Sequence, residues 1–160
     1  MADRAPEMVP SLFDRLIDDD PAASLEPPDR YYGLREMKAS VARDLENLLN
    51  TRREALADPP PEFVEIGKSL RMYGLPDFTS LNPLNSDDRE RLRGAIESAV
   101  GAFEARLQRV TVKVDAAEPN DRAVRFHIEG LLRAEPAPKP VAFDTILQLS
   151  GRQYSVRGRD

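Results

Sequence analysis

The feature that most constrains this chain is a change of hydrophobic period close to residue 108. Before that point apolar residues recur every three or four positions; after it they alternate with polar ones. A stripe of period 3.6 does not serve as the face of a strand, and a period of two does not serve as the face of a helix. The chain is therefore expected to build helices first and strands afterwards. That order predicts an α+β fold, with two main helices packed on a C-terminal, mainly antiparallel sheet, and argues against a doubly wound nucleotide fold.

The helical part carries two long stripes. Leu34, Met37, Val41, Leu45, Leu48 and Leu49 share one face of a helix expected to end between Asn50 and Arg53. Leu92, Ile96, Val100, Phe103 and Leu107 form the second, predicted to start at a Ser86 or Asp87 cap and to run to about Gln108. Between them, Glu62 to Leu70 reads as a shorter helix with Phe63, Ile66 and Leu70 facing inward, and the following MYGLPDFTSLNPL reads as loop. In the alternating part, Val110, Val112 and Val114 predict one strand and Val124, Phe126 and Ile128 a second, joined by the loop AAEPND. Gly130 is expected at a bulge or a close approach. Val141, Phe143, Thr145, Leu147 and Leu149 continue the pattern, and Tyr154 and Val156 suggest a final extension or short strand.

Fourteen prolines in 160 residues are close to twice the usual ~5%. Clusters at Pro27-Pro28, Pro59-Pro60-Pro61 and Pro136, Pro138 and Pro140 mark extended connections, because proline fixes φ and biases its predecessor away from the helical region. They divide the chain into an extended N-terminal docking segment and linker, residues 1–30, and an α+β domain, residues 31–160. Within the first piece, Leu12, Phe13, Leu16 and Ile17 of SLFDRLI lie at helical spacing before Asp18-Asp19-Asp20. Two readings stand side by side: a short helix packed on its own domain, or a peptide that docks on another subunit.

Composition removes much familiar chemistry. With no cysteine and one histidine, there is no thiolate nucleophile, disulfide framework or zinc cluster to assemble. No phosphate-binding glycine loop or dinucleotide fingerprint is present. His127 lies on the polar face of its strand with no nucleophile motif to serve, and is read as a surface or partner-facing residue. Twenty-eight acidic against 23 basic residues leave a net charge of −5, which argues against nucleic acid as a partner. No apolar run reaches the ~20 residues of a membrane span, and Met1 to Pro10 lacks a secretory core. No catalytic residue, cofactor, metal or membrane insertion is expected, and the expected location is the cytoplasm.

The segment Phe103-Glu104-Ala105-Arg106-Leu107 stands at the predicted junction of helix and strand. Two positions apart on a regular helix, Glu104 and Arg106 do not face each other, so the plain reading is a solvated pair worth ~0–1 kcal/mol. At a junction, however, both can reach other segments or a partner.

Four pieces in order, SLFDRLIDDDP, LENLLNTRRE, MYGLPDFTSL and FEARL, resemble the TssE family of type VI secretion baseplate subunits, among the phage baseplate wedge proteins that start contractile tail sheaths. The family's Glu-Pro-Arg motif falls on Glu104, Ala105 and Arg106, with alanine leaving the helix free to continue through the middle position. The resemblance implies a structural adaptor between wedge subunits (TssF, TssG, TssK) and sheath subunits (TssB, TssC), at the cytoplasmic face of the inner membrane. Glu104 and Arg106 would be a charged anchor, between subunits or within the fold, and Leu12, Phe13, Leu16 and Ile17 a docking peptide. A sheet edge among Val110–Val114, Val124–Ile128 or Val141–Leu149 would receive a partner strand. Some relatives carry a lysozyme-like label, so peptidoglycan hydrolysis is the rival of the enzyme class, and another phage-tail-like particle is the rival setting.

Overall fold

The computed structural model describes residues 8–17, 22, 31–54, 60, 62–78, 80, 82, 85–116 and 121–159. Helix α1 spans Leu12–Leu16, α2 Leu34–Asn50 and α3 Ser86–Phe103. Strands β1 Leu107–Val114, β2 Ala123–Leu132, β3 Lys139–Gln148 and β4 Gln153–Arg159 follow. The strands form one antiparallel sheet in the order β1-β2-β3-β4, each hairpin adding the next neighbour. The α+β architecture expected from the change of period is the one observed.

Both helical stripes cover the same sheet face. Met37, Val41, Leu45, Leu48 and Leu49 of α2 and Leu92, Ile96 and Val100 of α3 are buried with Val112, Val124, Phe126, Ile128, Val141, Phe143, Leu147 and Val156. A Leu or Phe removed from such a position costs roughly 2–5 kcal/mol, because the transfer energy is lost and a cavity remains. The alternation of the strands is thus the cause of one packed and one open sheet face. The open face carries Thr111, Lys113, Arg125, His127 and Glu129.

The structure corrects several boundaries. Glu62–Leu70 is not a helix: 3₁₀ turns at Ile66–Lys68 and Leu70–Met72 stand there, with Phe63, Ile66 and Leu70 exposed. Extended Ser69, at ψ 158°, separates the two turns, and such short i→i+3 pieces do not build a continuous apolar stripe. The cap of α3 is Asn85, whose side chain accepts the Asp87 N–H at 2.8 Å. Helix α3 stops at Phe103 rather than near Gln108, so Leu107 opens β1. Of the three proposed receiving segments, Val124–Ile128 and Val141–Leu149 belong to interior strands; only β1 is an edge, and β4 is the other.

Gly130 sits at a close approach, its missing Cβ being 3.3 Å from the Gln108 carbonyl oxygen, and the register shift lies opposite it in β1. Gly74 turns the loop after the 3₁₀ pieces at φ +102°, where a Cβ would stand 2.4 Å from the Thr51 carbonyl oxygen, so no other residue fits without moving backbone. That turn allows Leu75 to bridge Arg52 and bury its side chain. The AAEPND loop lies partly outside the described residues, as do Asp18-Asp19-Asp20 and Pro27-Pro28.

Candidate functional site: a charged junction beneath the N-terminal helix

The end of α3 places Glu104 and Arg106 in a turn, where they meet directly. Arg106 donates through Nε to Glu104 Oε1 at 2.8 Å and through Nη2 to Oε2 at 2.6 Å, while its backbone N–H donates to Oε1 at 3.0 Å. This forked, charge-assisted geometry is the strong form of such a pair. The helical-wheel argument against the contact fails because neither residue is in the helix.

The guanidinium also reaches α2. It donates to Asp44 Oδ2 at 2.5 Å and to Ser40 Oγ at 2.9 Å. Ser40 passes the connection on, donating its hydroxyl to Asp14 Oδ2 at 2.7 Å. Asp14, on α1, accepts further from Ser11 Oγ at 2.7 Å and from Arg43 Nη2 at 2.7 Å. Arg43 in turn holds Asp44 at 2.9 Å and lies over the Phe13 ring, 5.1 Å from its centroid. One polar network thus ties three separate segments together: α1, the middle of α2 and the junction of α3 with β1.

Burial decides how much this network matters. The side chains of Asp14 and Glu104 are 1% and 8% exposed and that of Arg106 20%, so these are groups taken largely out of water. Such charges persist only when paired and hydrogen-bonded. Burial alone would raise the Asp14 carboxyl; the hydrogen bonds from Ser11, Ser40 and Arg43 outweigh it and hold the group at about 2. Burial disfavours the Arg106 cation too, and Glu104 followed by Asp44 more than offsets it, pushing that group above its ordinary value. Burial, then the charges of Asp44 and Glu104, also raise Tyr73, whose ring packs edge-on against Phe103 at 5.3 Å.

The consequence for α1 is an inverted helix. Its one buried side chain is the charged Asp14, while Leu12, Phe13 and Leu16 are 76%, 54% and 75% exposed and Ile17 is half-buried. Neighbouring Met8 bridges Tyr32 and joins the core, fixing the approach to the helix. Helix α1 is thus tied to its own domain by its polar side and turns its apolar side outward.

Asp14, Ser40, Arg43 and Asp44 escaped the sequence reading. Two signals for them were present. Ser11 and Asp14 have the spacing of a helix cap, and both partners of that cap are made. Ser40 lies on the apolar stripe of α2, where a polar residue needs a partner.

His127 stands elsewhere, on the open sheet face, with Nδ1 2.7 Å from Asp144 and Nε2 3.1 Å from Asp115. Its hydrogen bond to Asp144 raises its pKa, partial burial opposes the rise, and Asp115 adds to it. Among the described residues no group of three or more metal-ligating side chains is assembled, and no helix is long and apolar enough to cross a membrane.

A family model described as baseplate wedge protein gp25 matches residues 35–137. The match takes in nearly all of α2, then α3, β1, β2 and the Glu104–Arg106 turn, and leaves α1 outside. No curated protein and no solved structure matches the chain.

Proposed function

The chain belongs to the baseplate wedge protein gp25 family, and from that membership we propose that it is the TssE-type baseplate subunit of a type VI secretion system. The family supports a structural role in a phage-tail-like baseplate. In this reading the protein is not an enzyme; it works on the cytoplasmic face of the inner membrane, joins the wedge subunits TssF, TssG and TssK to the TssB–TssC sheath, and helps the first sheath ring to form. The sheath contact is made by strand addition, a sheet edge taking up an extended segment of a sheath subunit.

The observation that carries an adaptor role is α1. A helix held by a buried carboxylate and presenting Leu12, Phe13 and Leu16 to solvent is built the opposite way from one that serves its own core. Those residues, with Ile17 beside them, are the docking surface for a wedge subunit. Glu104 and Arg106 serve it from behind, as the anchor within the fold that sets where α1 lies.

Co-purification from cells expressing the baseplate set tests this. Leu12→Asp with Leu16→Asp should leave the isolated domain's circular dichroism and thermal midpoint unchanged, because both residues are exposed, and should release the protein from its wedge partners. Retention of the double variant in the wedge complex would remove α1 from the interface.

A further inference from the structure

Both edges of the sheet are closed by side chains, and the two closures differ in kind. On β4, Asn50 at the end of α2 donates its Nδ2 to the Tyr154 carbonyl at 2.9 Å and accepts the Tyr154 N–H on Oδ1 at 2.9 Å. This is the pair of bonds a residue of a neighbouring strand would make. One turn earlier Glu46 accepts the Val156 N–H at 2.9 Å, and Lys38 donates to the Arg159 carbonyl. Three side chains of one helix, α2, thus occupy the outer side of β4.

On β1 the closure is made by a single, half-buried ion pair. Glu97 Oε2 accepts the Val112 N–H at 2.9 Å, and Arg93 Nη1 reaches the Val112 carbonyl at 3.4 Å. Both belong to α3 and hold each other at 2.9 Å, and Arg93 is also held by Glu90 at 2.7 Å. The Asp115 N–H turns inward to Arg125, so by alternation Val114 presents its backbone groups on the same outward side as Val112. No side chain among the described residues binds them.

Opening β4 would unpair the backbone of buried Tyr154 and the carboxylate of half-buried Glu46 while α2 stays in the way. Opening β1 requires only that Arg93 and Glu97 swing off Val112, and they keep each other and Glu90 as partners when they do. We propose that β1 is the strand-accepting edge of this protein and that the Arg93–Glu97 pair is the gate that closes it in the free chain. The occupant is an extended segment of a partner chain that takes over the hydrogen bonds of Val112 and adds those of Val114. Alternate residues of that segment are apolar where they cover the partly buried Val110 and Val114, and polar on the open face beside Thr111 and Lys113. The gate keeps an otherwise adhesive edge from pairing before the partner arrives.

The identity of that partner rests on the sheath reading given above, so the test uses the sheath subunit pair, co-expressed with the full chain. Val114→Pro removes an outward donor without removing a bond between β1 and β2, and is expected to weaken sheath binding at least tenfold. Arg93→Ala with Glu97→Ala opens the gate and should raise the rate of sheath binding several-fold, whereas Asn50→Ala should not. Because the chain has no cysteine, Val114→Cys provides a single thiol; alkylated with a maleimide that carries a benzophenone, it should on irradiation form a bond to the sheath segment. If wild-type protein binds no sheath subunit, the sheath reading fails and this inference with it. If wild-type protein binds but the open-gate variant shows no faster binding and the Val114→Cys thiol captures nothing, the inference alone is overturned. Capture of the sheath segment by a thiol placed on β4, in Arg157→Cys, and not by one at Val114→Cys overturns it equally, and these readouts stand even if Val114→Pro does not fold.

Discussion

Removing the charge of Arg106 tests whether the junction is an internal anchor or a surface pair. Arg106→Met keeps the apolar stem and deletes the fork that holds Glu104, Asp44 and Ser40. An exposed pair would lose ~0–1 kcal/mol, and a fully buried one about 3–5 kcal/mol. Glu104 at 8% exposure lies at the buried end and Arg106 at 20% somewhat short of it, which places the cost at about 3 kcal/mol. With a urea m-value of roughly 2 kcal/mol per molar for a domain of this size, the unfolding midpoint should fall by about 1.5 M. A domain with ~5–15 kcal/mol of stability survives this loss, so the variant should still fold.

The cycle with Glu104→Gln separates the pair from its surroundings. Each single variant leaves a charge without its partner, and the double variant leaves neither, so its cost should fall short of the sum by about 1–3 kcal/mol. Urea denaturation of the four proteins, followed by far-ultraviolet circular dichroism, gives the coupling directly. Single variants within about 0.5 kcal/mol of wild type, or costs that simply add, would refute the internal anchor and return Glu104 and Arg106 to the role of a contact between subunits.

Three further outcomes follow from the geometry. Asp14 has a folded value of about 2 against 3.8 for the free group; a depressed carboxylate stabilises above its unfolded value, so about 2 kcal/mol should be present above pH ~4 and lost as pH falls toward 2. The urea midpoint advantage of wild type over Asp14→Asn, measured from pH 6 to 2, should shrink across that window. His127, the one histidine, should titrate above 6.5 in an NMR experiment and fall on Asp144→Asn; its raised value contributes stability that is complete below pH 6.5 and disappears as pH rises through the folded value. Thr145 is fully buried on β3 with no partner for its hydroxyl among the described residues, so Thr145→Val should leave the thermal midpoint unchanged or raise it, a gain of up to about 1 kcal/mol.

The strands and long helices were legible because their signal is periodic and local. Val110, Val112 and Val114 or Leu34, Met37 and Val41 announce a face from a few neighbouring letters. Edge positions were not legible, since strand order is a property of the whole sheet: nothing in the letters of β3 says that β4 will cover its free side. The charged junction was only half legible. Glu104 and Arg106 stood out as a pair, but their partners Asp14, Ser40 and Asp44 lie 60 to 92 residues away along the chain, brought close only by packing. The same holds for the caps on β1 and β4, where Glu97 and Asn50 read as ordinary solvent-facing helical residues until the sheet beneath them is in place.

The end of α3 shows how the charges and the backbone depend on each other. Alanine at position 105 was expected to let the helix run on, because the family motif carries a helix-breaking proline there. The helix stops regardless: Glu104 leaves the helical region at φ −101°, ψ 85°, its carboxylate accepts the Arg106 N–H, and its carbonyl accepts the Leu107 N–H at 3.1 Å. Residues 104–107 are thus a four-residue turn closed by its first carbonyl, with Ala105 in the second position. Proline is favoured at that position of the common turns, and Glu104, at ψ 85°, is already out of the helical region that proline disfavours in its predecessor, about 35° short of the range it prefers. The charged pair, rather than the residue between its members, is therefore what terminates the helix here, and both alanine and proline fit the same turn. Ala105→Pro should fold with Glu104 and Arg106 still paired and gain about 0.4–1 kcal/mol, because the unfolded chain loses freedom it no longer has to give up. Urea denaturation beside wild type measures that gain. A loss of more than about 1 kcal/mol would show that the backbone at Ala105 is not that of a proline turn, and that this chain reaches the same pairing by a different path.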